Sequence, residues 1–388
     1  MANLFAVCTP GLEPFMAQEL SQLGLRPSRS LSGFEHFPTS NDLIDEVGGI
    51  EFRGALSDIY RANLHLRTAS RVLVQIGMFY ADTFSDLGRR GKRLSWENYL
   101  PPGRSVSLRV TCQKSRLYHS GGVAERVLEA IAGRLGQTPP VLESNGDEEG
   151  IPPQLVIVRL RDNRCAISID SSGALLYRRG YRLATGRAPL RETLAAGILL
   201  ASGWDASSLL LDPFCGAGTI AIEAALLARK IPPGIKRRFA FMDWPNFDAR
   251  MWEGLVAEAK ASGVSGPEII ASDRDEGAIE AAKANAQRAG MAGGIEFSCR
   301  PISAIDPPMR PGWVVTNPPY GVRLGTNRDL RKLYAQFGKV LRTKCPQWQI
   351  AMLCNSAELL QATGLRFDPG IQTRNGGLKV RLVRGRIK

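Results

Sequence analysis

The chain has 388 residues, 44% of them apolar and 22% charged, and its 50 Lys and Arg outweigh 37 Asp and Glu for a formal net charge of +13. That length implies two or three domains with ample material for buried cores, and no apolar run nears the roughly 18 residues that would cross a bilayer. Seven scattered cysteines without a CxxC pair, and three histidines at 36, 65 and 119, argue against a disulfide framework or a zinc site; reduced thiols and no metal are expected.

Glu13 and Glu19 interrupt the first apolar segment and no basic region precedes it, so no signal peptide is read and a cytoplasmic location is expected. The charge is uneven: net +4 up to residue 188 and net +9 from 189 onward. Basic clusters stand at Arg89-Arg90-Gly91-Lys92-Arg93, at Arg178-Arg179-Gly180-Tyr181-Arg182, at Lys236-Arg237-Arg238 and in the tail from Lys379 to Lys388. Such fields attract polyphosphate backbones; the plainer reading is a solvated basic surface.

In chain order, Leu4–Cys8 reads as a strand and Glu13–Leu23 as a helix that Gly24 ends. Extended segments follow at Gly49–Arg53 and Arg71–Met78, then a strand at Val106–Cys112 and an amphipathic helix at Val123–Arg134. The acidic stretch from Glu143 to Pro153 reads as a loop, and Leu155–Leu160 and Cys165–Asp170 as a hairpin around a short polar turn. This first part is expected to be α+β, in two small modules. From about 189 the rhythm changes to helix Arg191–Ser202, strand Ser208–Leu211, helix Thr219–Arg229, strand Glu268–Ala271, helix Glu276–Gly290 and strand Ile295–Cys299. Strand Trp313–Thr316, a helix around Leu330–Leu341 and strand Gln349–Leu353 complete it. Strand-helix alternation predicts a doubly wound, mainly parallel α/β sheet with ligands beyond the strands' carboxyl ends.

Three motifs carry the chemistry. The first is Leu209-Leu-Leu-Asp212-Pro213-Phe214-Cys-Gly216-Ala-Gly218-Thr219. A strand runs into a tight glycine turn and a helix, with neither the third glycine of a dinucleotide fingerprint nor the lysine of a P-loop. A ligand bearing a sulfonium and a carboxylate suits Asp212 and the exposed amides better than a triphosphate does. The second is Ile269-Ile-Ala-Ser-Asp273-Arg-Asp275, where Asp273 is placed to accept ribose hydroxyls and Asp275 to cap the next helix. The third is Val314-Val-Thr-Asn317-Pro318-Pro319-Tyr320-Gly321. The prolines fix the backbone and leave the Pro318 carbonyl free. Asn317 and that carbonyl can take the two hydrogens of a planar amino group while its ring stacks on Tyr320. Gripping both hydrogens aims the nitrogen lone pair at a methyl carbon, so positioning supplies most of the rate.

Together these motifs resemble the class I methyltransferases with an NPPY motif. The stretch Asp170–Arg182, the segment Ala188–Ala196 and the sequences at 241–248 and 374–378 narrow the resemblance to THUMP-domain RNA methyltransferases. Among these, the chain is similar to the bacterial 23S rRNA guanine-N2 (RlmL-like) group. In the front half, Phe5–Glu13 with Glu19-Leu20 is similar to that family's ferredoxin-like opening, and Ser115–Ser120 to the THUMP signature. The resemblance implies a ferredoxin-like module over residues 1–65, a THUMP RNA-binding domain over 66–168 and a Rossmann-like methyltransferase domain over 169–388. It implies S-adenosyl-L-methionine as cofactor, held by Asp212, Pro213, Phe214, Gly216, Gly218, Thr219 and Asp273. Asn317, Pro318, Pro319 and Tyr320 would hold the base, and 23S rRNA would be the partner, with no membrane and no obligate protein partner. Where the family often sets an acidic residue beside the adenine this chain has Cys299-Arg300-Pro301-Ile302, with Asp306 a weak substitute. Some relatives carry a second methyltransferase domain, so a paired second modification is not expected from this sequence.

Three other readings compete. A DNA adenine-N6 or cytosine-N4 methyltransferase shares the NPPY chemistry and needs a target-recognition domain and base flipping. A glutamine-N5 protein methyltransferase gains nothing from a basic front half. A non-catalytic RNA-binding protein leaves the intact glycine turn unexplained.

Overall fold

The computed structural model describes residues 1–28, 48–142, 151–182, 190–261, 265–320 and 327–388. Of the acidic loop expected over 143–153, residues 143–150 lie outside the described residues, as do His36, Ala188 and Gly321.

The front half runs β1 (Ala2–Cys8), α1 (Glu13–Gln22), β2 (Gly48–Gly54), α2 (Leu56–His65), β3 (Ala69–Tyr80), α3 (Phe84–Gly91), β4 (Val106–Gln113), α4 (Ser120–Leu135), β5 (Gln154–Arg161) and β6 (Arg164–Asp170). These six strands form one sheet in the order β2-β1-β3-β6-β5-β4. Strand β3 pairs antiparallel with β1 on one side and with β6 on the other, so the expected division at 65/66 falls beside a single continuous ladder. The expected hairpin forms between β5 and β6. Its turn residues Asp162 and Asn163 have φ of 51° and 61°, the conformation a two-residue hairpin needs and one that short polar side chains tolerate.

The second sheet is built from α5 (Glu192–Ser202), β7 (Leu210–Asp212), α6 (Thr219–Ala228), α7 (Ala249–Ala261), β8 (Ile269–Asp273), α8 (Glu276–Ala289), β9 (Glu296–Cys299), β10 (Trp313–Thr316), α9 (Asn327–Lys344), β11 (Gln349–Cys354), α10 (Ala357–Ala362), β12 (Ile371–Asn375) and β13 (Leu378–Arg386). The strand order is β12-β13-β11-β10-β7-β8-β9. Five central and edge strands run parallel, and β13 runs antiparallel between β11 and β12. This is the doubly wound sheet the sequence rhythm predicts. Strand β7 is wholly buried at its centre, which explains its unbroken apolar run. Helix α8 packs Ile279, Ala282, Ala286 and Ala289 inward, is capped by Asp275, whose Oδ1 accepts from the Ala278 N–H at 3.2 Å, and ends at Gly290. His119 caps α4 in the same way, its Nδ1 accepting from the Gly122 N–H at 3.1 Å.

The halves share one core. Its buried residues include Leu12 and Tyr60 from the front and Leu194, Phe241 and Leu210 from the rear. Tyr60 stacks on Phe241 with ring centroids 4.4 Å apart, and its hydroxyl accepts from the Asp248 N–H at 2.9 Å. Asn63 donates to Ser171 Oγ at 2.8 Å and accepts from Ser172 Oγ at 2.6 Å. Arg67 crosses over to donate to the Ile231 carbonyl at 2.7 Å, while Trp244 donates to Gln154 Oε1 at 2.9 Å.

In two of the four basic clusters some of the cations turn inward, while Arg178, Lys236 and Arg238 stay exposed. Arg179 is 5% exposed and lies 3.5 Å from Glu223, donating also to the Leu176 and Arg67 carbonyls, each at 2.6 Å. Arg182 lies 3.3 Å from Glu192. Lys236 donates to the Arg288 carbonyl, Arg237 donates to the carbonyls of Ala174, Leu175 and Arg178, and Arg238 pairs with Asp243. Arg179, Arg182 and Arg237 therefore serve the fold, which leaves the exposed members of these runs as their only cations open to phosphate among the described residues. A guanidinium presents five donors in a flat fork, so it joins chain segments whose carbonyls lack partners.

Candidate functional site

The three motifs meet at the carboxyl ends of β10, β7 and β8, which are adjacent in the sheet. From β7 the chain proceeds to β8 and β9 on one side, and returns through β10 and β11 on the other. The strand order thus reverses between β7 and β10, which is where an open parallel sheet leaves a crevice for ligands.

The turn after β7 is organised by two carboxylates. Asp212 is 1% exposed; its Oδ1 accepts the Thr316 hydroxyl at 2.6 Å and the Phe214 N–H at 3.3 Å, tying the end of β7 to the end of β10. Its Oδ2 is buried without a hydrogen-bond partner. Burial is the main cause that pushes this carboxyl up to about 7. Asp273, at the end of β8, accepts the Gly216 N–H on Oδ2 at 3.0 Å and the Asp275 N–H on Oδ1 at 3.1 Å. Each oxygen keeps a lone pair for a ligand hydroxyl.

The two glycines serve different ends. Gly218 has φ +81°, and a Cβ there would stand 3.0 Å from Ala282 Cβ and 3.3 Å from Phe297, so the turn can lie against α8 only without a side chain. Gly216 has φ +51° and no atom within 4 Å of where its Cβ would be, which leaves open space above the turn. Pro213 is buried, and Phe214 sets its ring edge-on to Phe337, centroids 5.3 Å apart, as a wall of the second core. The Thr219 hydroxyl accepts from Arg182 at 2.6 Å, and Arg182 in turn lies beside Glu192, whose carboxyl burial pushes up to about 7.

At the end of β10, Pro318 is buried and Asn317, Pro319 and Tyr320 are half-buried. Asn317 Oδ1 is enclosed yet has no hydrogen-bond partner. An amide oxygen left so at the mouth of a crevice is costly unless a ligand donates to it. The Tyr320 hydroxyl accepts from Asn375 Nδ2 at 2.7 Å, and its burial raises the phenol, keeping it neutral. Asp306 is well exposed and pairs with Lys344 at 3.3 Å.

All the residues named for the turn and the NPPY corner therefore lie on neighbouring strand ends, with Thr219 and Phe214 turned to other protein partners. Sequence reasoning missed Thr316 and Asn375. Thr316 was legible as the neighbour of Asn317 on a strand beside β7; Asn375 was not, for it lies 55 residues from its partner. The space above Gly216, the partnerless Asp212 and Asn317 oxygens and the acid at the end of β8 fit a cofactor with positive charge and ribose hydroxyls beside an amine-bearing substrate.

Comparison with known proteins bears on the family, the fold and the cofactor class. A model of the RMKL-like methyltransferase domain matches residues 179–384, and one of the RlmL ferredoxin-like domain matches residues 41–73. The chain is 34% identical over 385 residues to the putative RNA methyltransferase slr0064 of Synechocystis, covering 98% of this chain and 95% of that one. It is 34% identical over 389 residues to the ribosomal RNA large subunit methyltransferase K/L of Shewanella frigidimarina, covering 98% of this chain but 52% of that protein. The chain thus spans about half the length of its K/L relatives. Among solved structures, SMU.472, a putative methyltransferase complexed with SAH, superposes with a TM-score of 0.82 at 28% identity over 99% of this chain and 97% of that one. A predicted N6-adenine-specific DNA methylase from Listeria monocytogenes gives a TM-score of 0.82 at 31% identity, covering 98% and 95%.

Proposed function

Given that the chain belongs to the RMKL-like methyltransferase family, we propose that it methylates an exocyclic amino group of RNA, with guanine N2 of 23S ribosomal RNA as the target. The family uses S-adenosyl-L-methionine, which supplies an electrophilic methyl group on a sulfonium. One observation carries the reading: Asn317 Oδ1 is enclosed and partnerless one strand from the glycine turn.

In the proposed mechanism, Asp212 and the turn through Gly216 and Gly218 hold the cofactor, with Asp273 at its ribose. Asn317 and the Pro318 carbonyl each accept one hydrogen of the substrate amine. Tyr320 fixes the plane of the base, and the two prolines keep this corner rigid. The nitrogen lone pair is thereby released from the ring and directed at the methyl carbon. As the nitrogen would take the methyl group from the sulfonium, leaving a neutral thioether, it would shed one proton to water after transfer, so no strong base is required.

The front half favours RNA. We assign residues 1–65 to the ferredoxin-like module, 66–168 to a THUMP RNA-binding domain and 169–388 to the methyltransferase domain. Arg89, Arg90, Lys92 and Arg93 are exposed at and after α3, and Tyr118, just before α4, is 80% exposed. An exposed ring at one end of the α3–α4 pair and a run of exposed cations at the other suit an RNA strand, with stacking on the ring and phosphates on the cations. None of the described helices is long and apolar enough to cross a membrane, and a cytoplasmic ribosomal substrate is consistent with that.

The decisive experiment supplies labelled cofactor and total RNA from a strain lacking the protein, then digests the product to nucleosides. Labelled N2-methylguanosine is expected. Label in N6-methyl-2′-deoxyadenosine when genomic DNA of the same strain is supplied in parallel, with none in the RNA, would favour the second reading, for which the name of the Listeria structure speaks.

A further inference from the structure

Strands β12 and β13 form a hairpin at the sheet edge, closing through Gly376 and Gly377. Since β12 runs parallel to the central strands, this turn lies at the same end of the sheet as the NPPY corner. At the last position of β12, Asn375 donates its side-chain amide to the Tyr320 hydroxyl at 2.7 Å. The Tyr320 ring packs against both large apolar clusters of the molecule, and its hydroxyl end, which lies on the Cβ–Cγ axis, is anchored by the Asn375 amide. The phenol is neutral, so it takes the amide hydrogen as a plain acceptor.

A second observation bears on the same strand. Gly11, in the β1–α1 turn, has φ +91°, and a Cβ there would stand 2.1 Å from the Gln372 carbonyl oxygen. Gln372 precedes Asn375 by three residues on β12. The front half therefore presses directly on the backbone of the strand that carries the amide, and only a residue without a side chain permits the approach.

We propose that Asn375 is a positioning residue for Tyr320, fixing the place and tilt of the ring on which the target base stacks, with its own strand seated by the Gly11 turn. This rests on the reading of Tyr320 as the base platform. A bound base then meets a ring already oriented. A ring whose hydroxyl end could swing would have to be arrested in each turnover, and a small error in its tilt moves the amine off the line of attack.

The test is a double-mutant cycle on the full chain, with single-turnover methyl transfer to total RNA from the deficient strain and SAH binding by calorimetry. Asn375→Ala and Tyr320→Phe should each slow transfer by roughly tenfold, with the SAH dissociation constant unchanged. The double variant should be no slower than either single one, because both remove the same bond. Asn375→Asp, whose carboxylate can accept the phenol hydrogen, should recover most of the rate. Unchanged transfer in Asn375→Ala, or a double variant slowed by the product of the two effects, overturns the inference alone. Undiminished transfer in Tyr320→Ala sinks the platform reading and this inference with it. A variant that loses SAH binding and melting temperature together, without rescue by Asp, would show a merely structural turn and also overturns it.

Discussion

At the scale of single residues, the site is defined by polar atoms that lack partners. Asn317 Oδ1 and Asp212 Oδ2 are both enclosed without a hydrogen bond, and each makes a separable prediction. Asn317→Ala should lower methyl transfer by at least about a hundredfold, since alignment of the amine is lost, while SAH binds as before. Normal turnover by that variant in a filter-binding assay would remove Asn317 from the proposed role. For Asp212 the prediction concerns pH. Its carboxyl is raised to about 7 chiefly by burial, so in the free protein it is mostly neutral at pH 5.5 and partly ionised at pH 7. A positively charged cofactor favours the ionised form, so affinity should rise roughly tenfold over that interval, with a proton released on binding in acid. Asp212→Asn should flatten the profile; a wild-type profile already flat in calorimetry would contradict it. The sequence distinguishes Asp273 from the capping Asp275 because one ends a strand and the other precedes a helix by one residue. It cannot show Asn375 beside Tyr320, since nothing local in either segment requires the other.

Among the elements, those with strong periodicity were legible to within a few residues. The strand at Trp313–Thr316 matches the expectation, and α8 and α5 differ by one residue at an end. What sequence reading passed over were elements without such a signature. Helix α3 carries two glycines and several charges, and forms because it packs on α4 with Leu87 buried and Thr83 as its cap, Oγ1 accepting from the Asp86 N–H at 3.1 Å. Helix α7 buries little beyond Ala259 and is held by Trp252 against the aromatic group around Phe241. The glycine turn yields a prediction at this scale. Gly218→Ala meets both the left-handed backbone cost, about 1–2 kcal/mol, and a collision with Ala282. Gly216→Ala meets the backbone cost alone and fills the space above the turn. Gly218→Ala should therefore melt lower than Gly216→Ala, whereas Gly216→Ala should weaken SAH binding more than its stability loss suggests. Equal melting temperatures would argue that α8 does not crowd the turn.

In the whole molecule, the basic character divides between structure and surface in a way that composition cannot reveal. Arg179, Arg182 and Arg237 are spent on internal carboxylates and carbonyls, whereas Arg90, Lys92 and Arg93 face solvent. RNA affinity should accordingly depend on the latter. Reversing Arg90, Lys92 and Arg93 to Glu should reduce RNA affinity at least tenfold and lower the slope of log affinity against log salt by about 2, leaving SAH binding intact. An unaltered salt slope in that variant would place the RNA elsewhere. Such surface changes test the front half better than deletion does, because removing it would strip Leu12 and Tyr60 from a core that the rear half also needs.

That common core has a consequence for substrate choice. With Tyr60, Asn63 and Arg67 all fastened into the rear half, a swing of the two ends of the molecule would have to break these bonds and open the shared core. An RNA gripped at α3 would be gauged as if by callipers of fixed opening, and only a nucleotide lying at the set reach from the grip could enter the Asn317 pocket. Selection would then operate on the folded length of the RNA before any base is inspected.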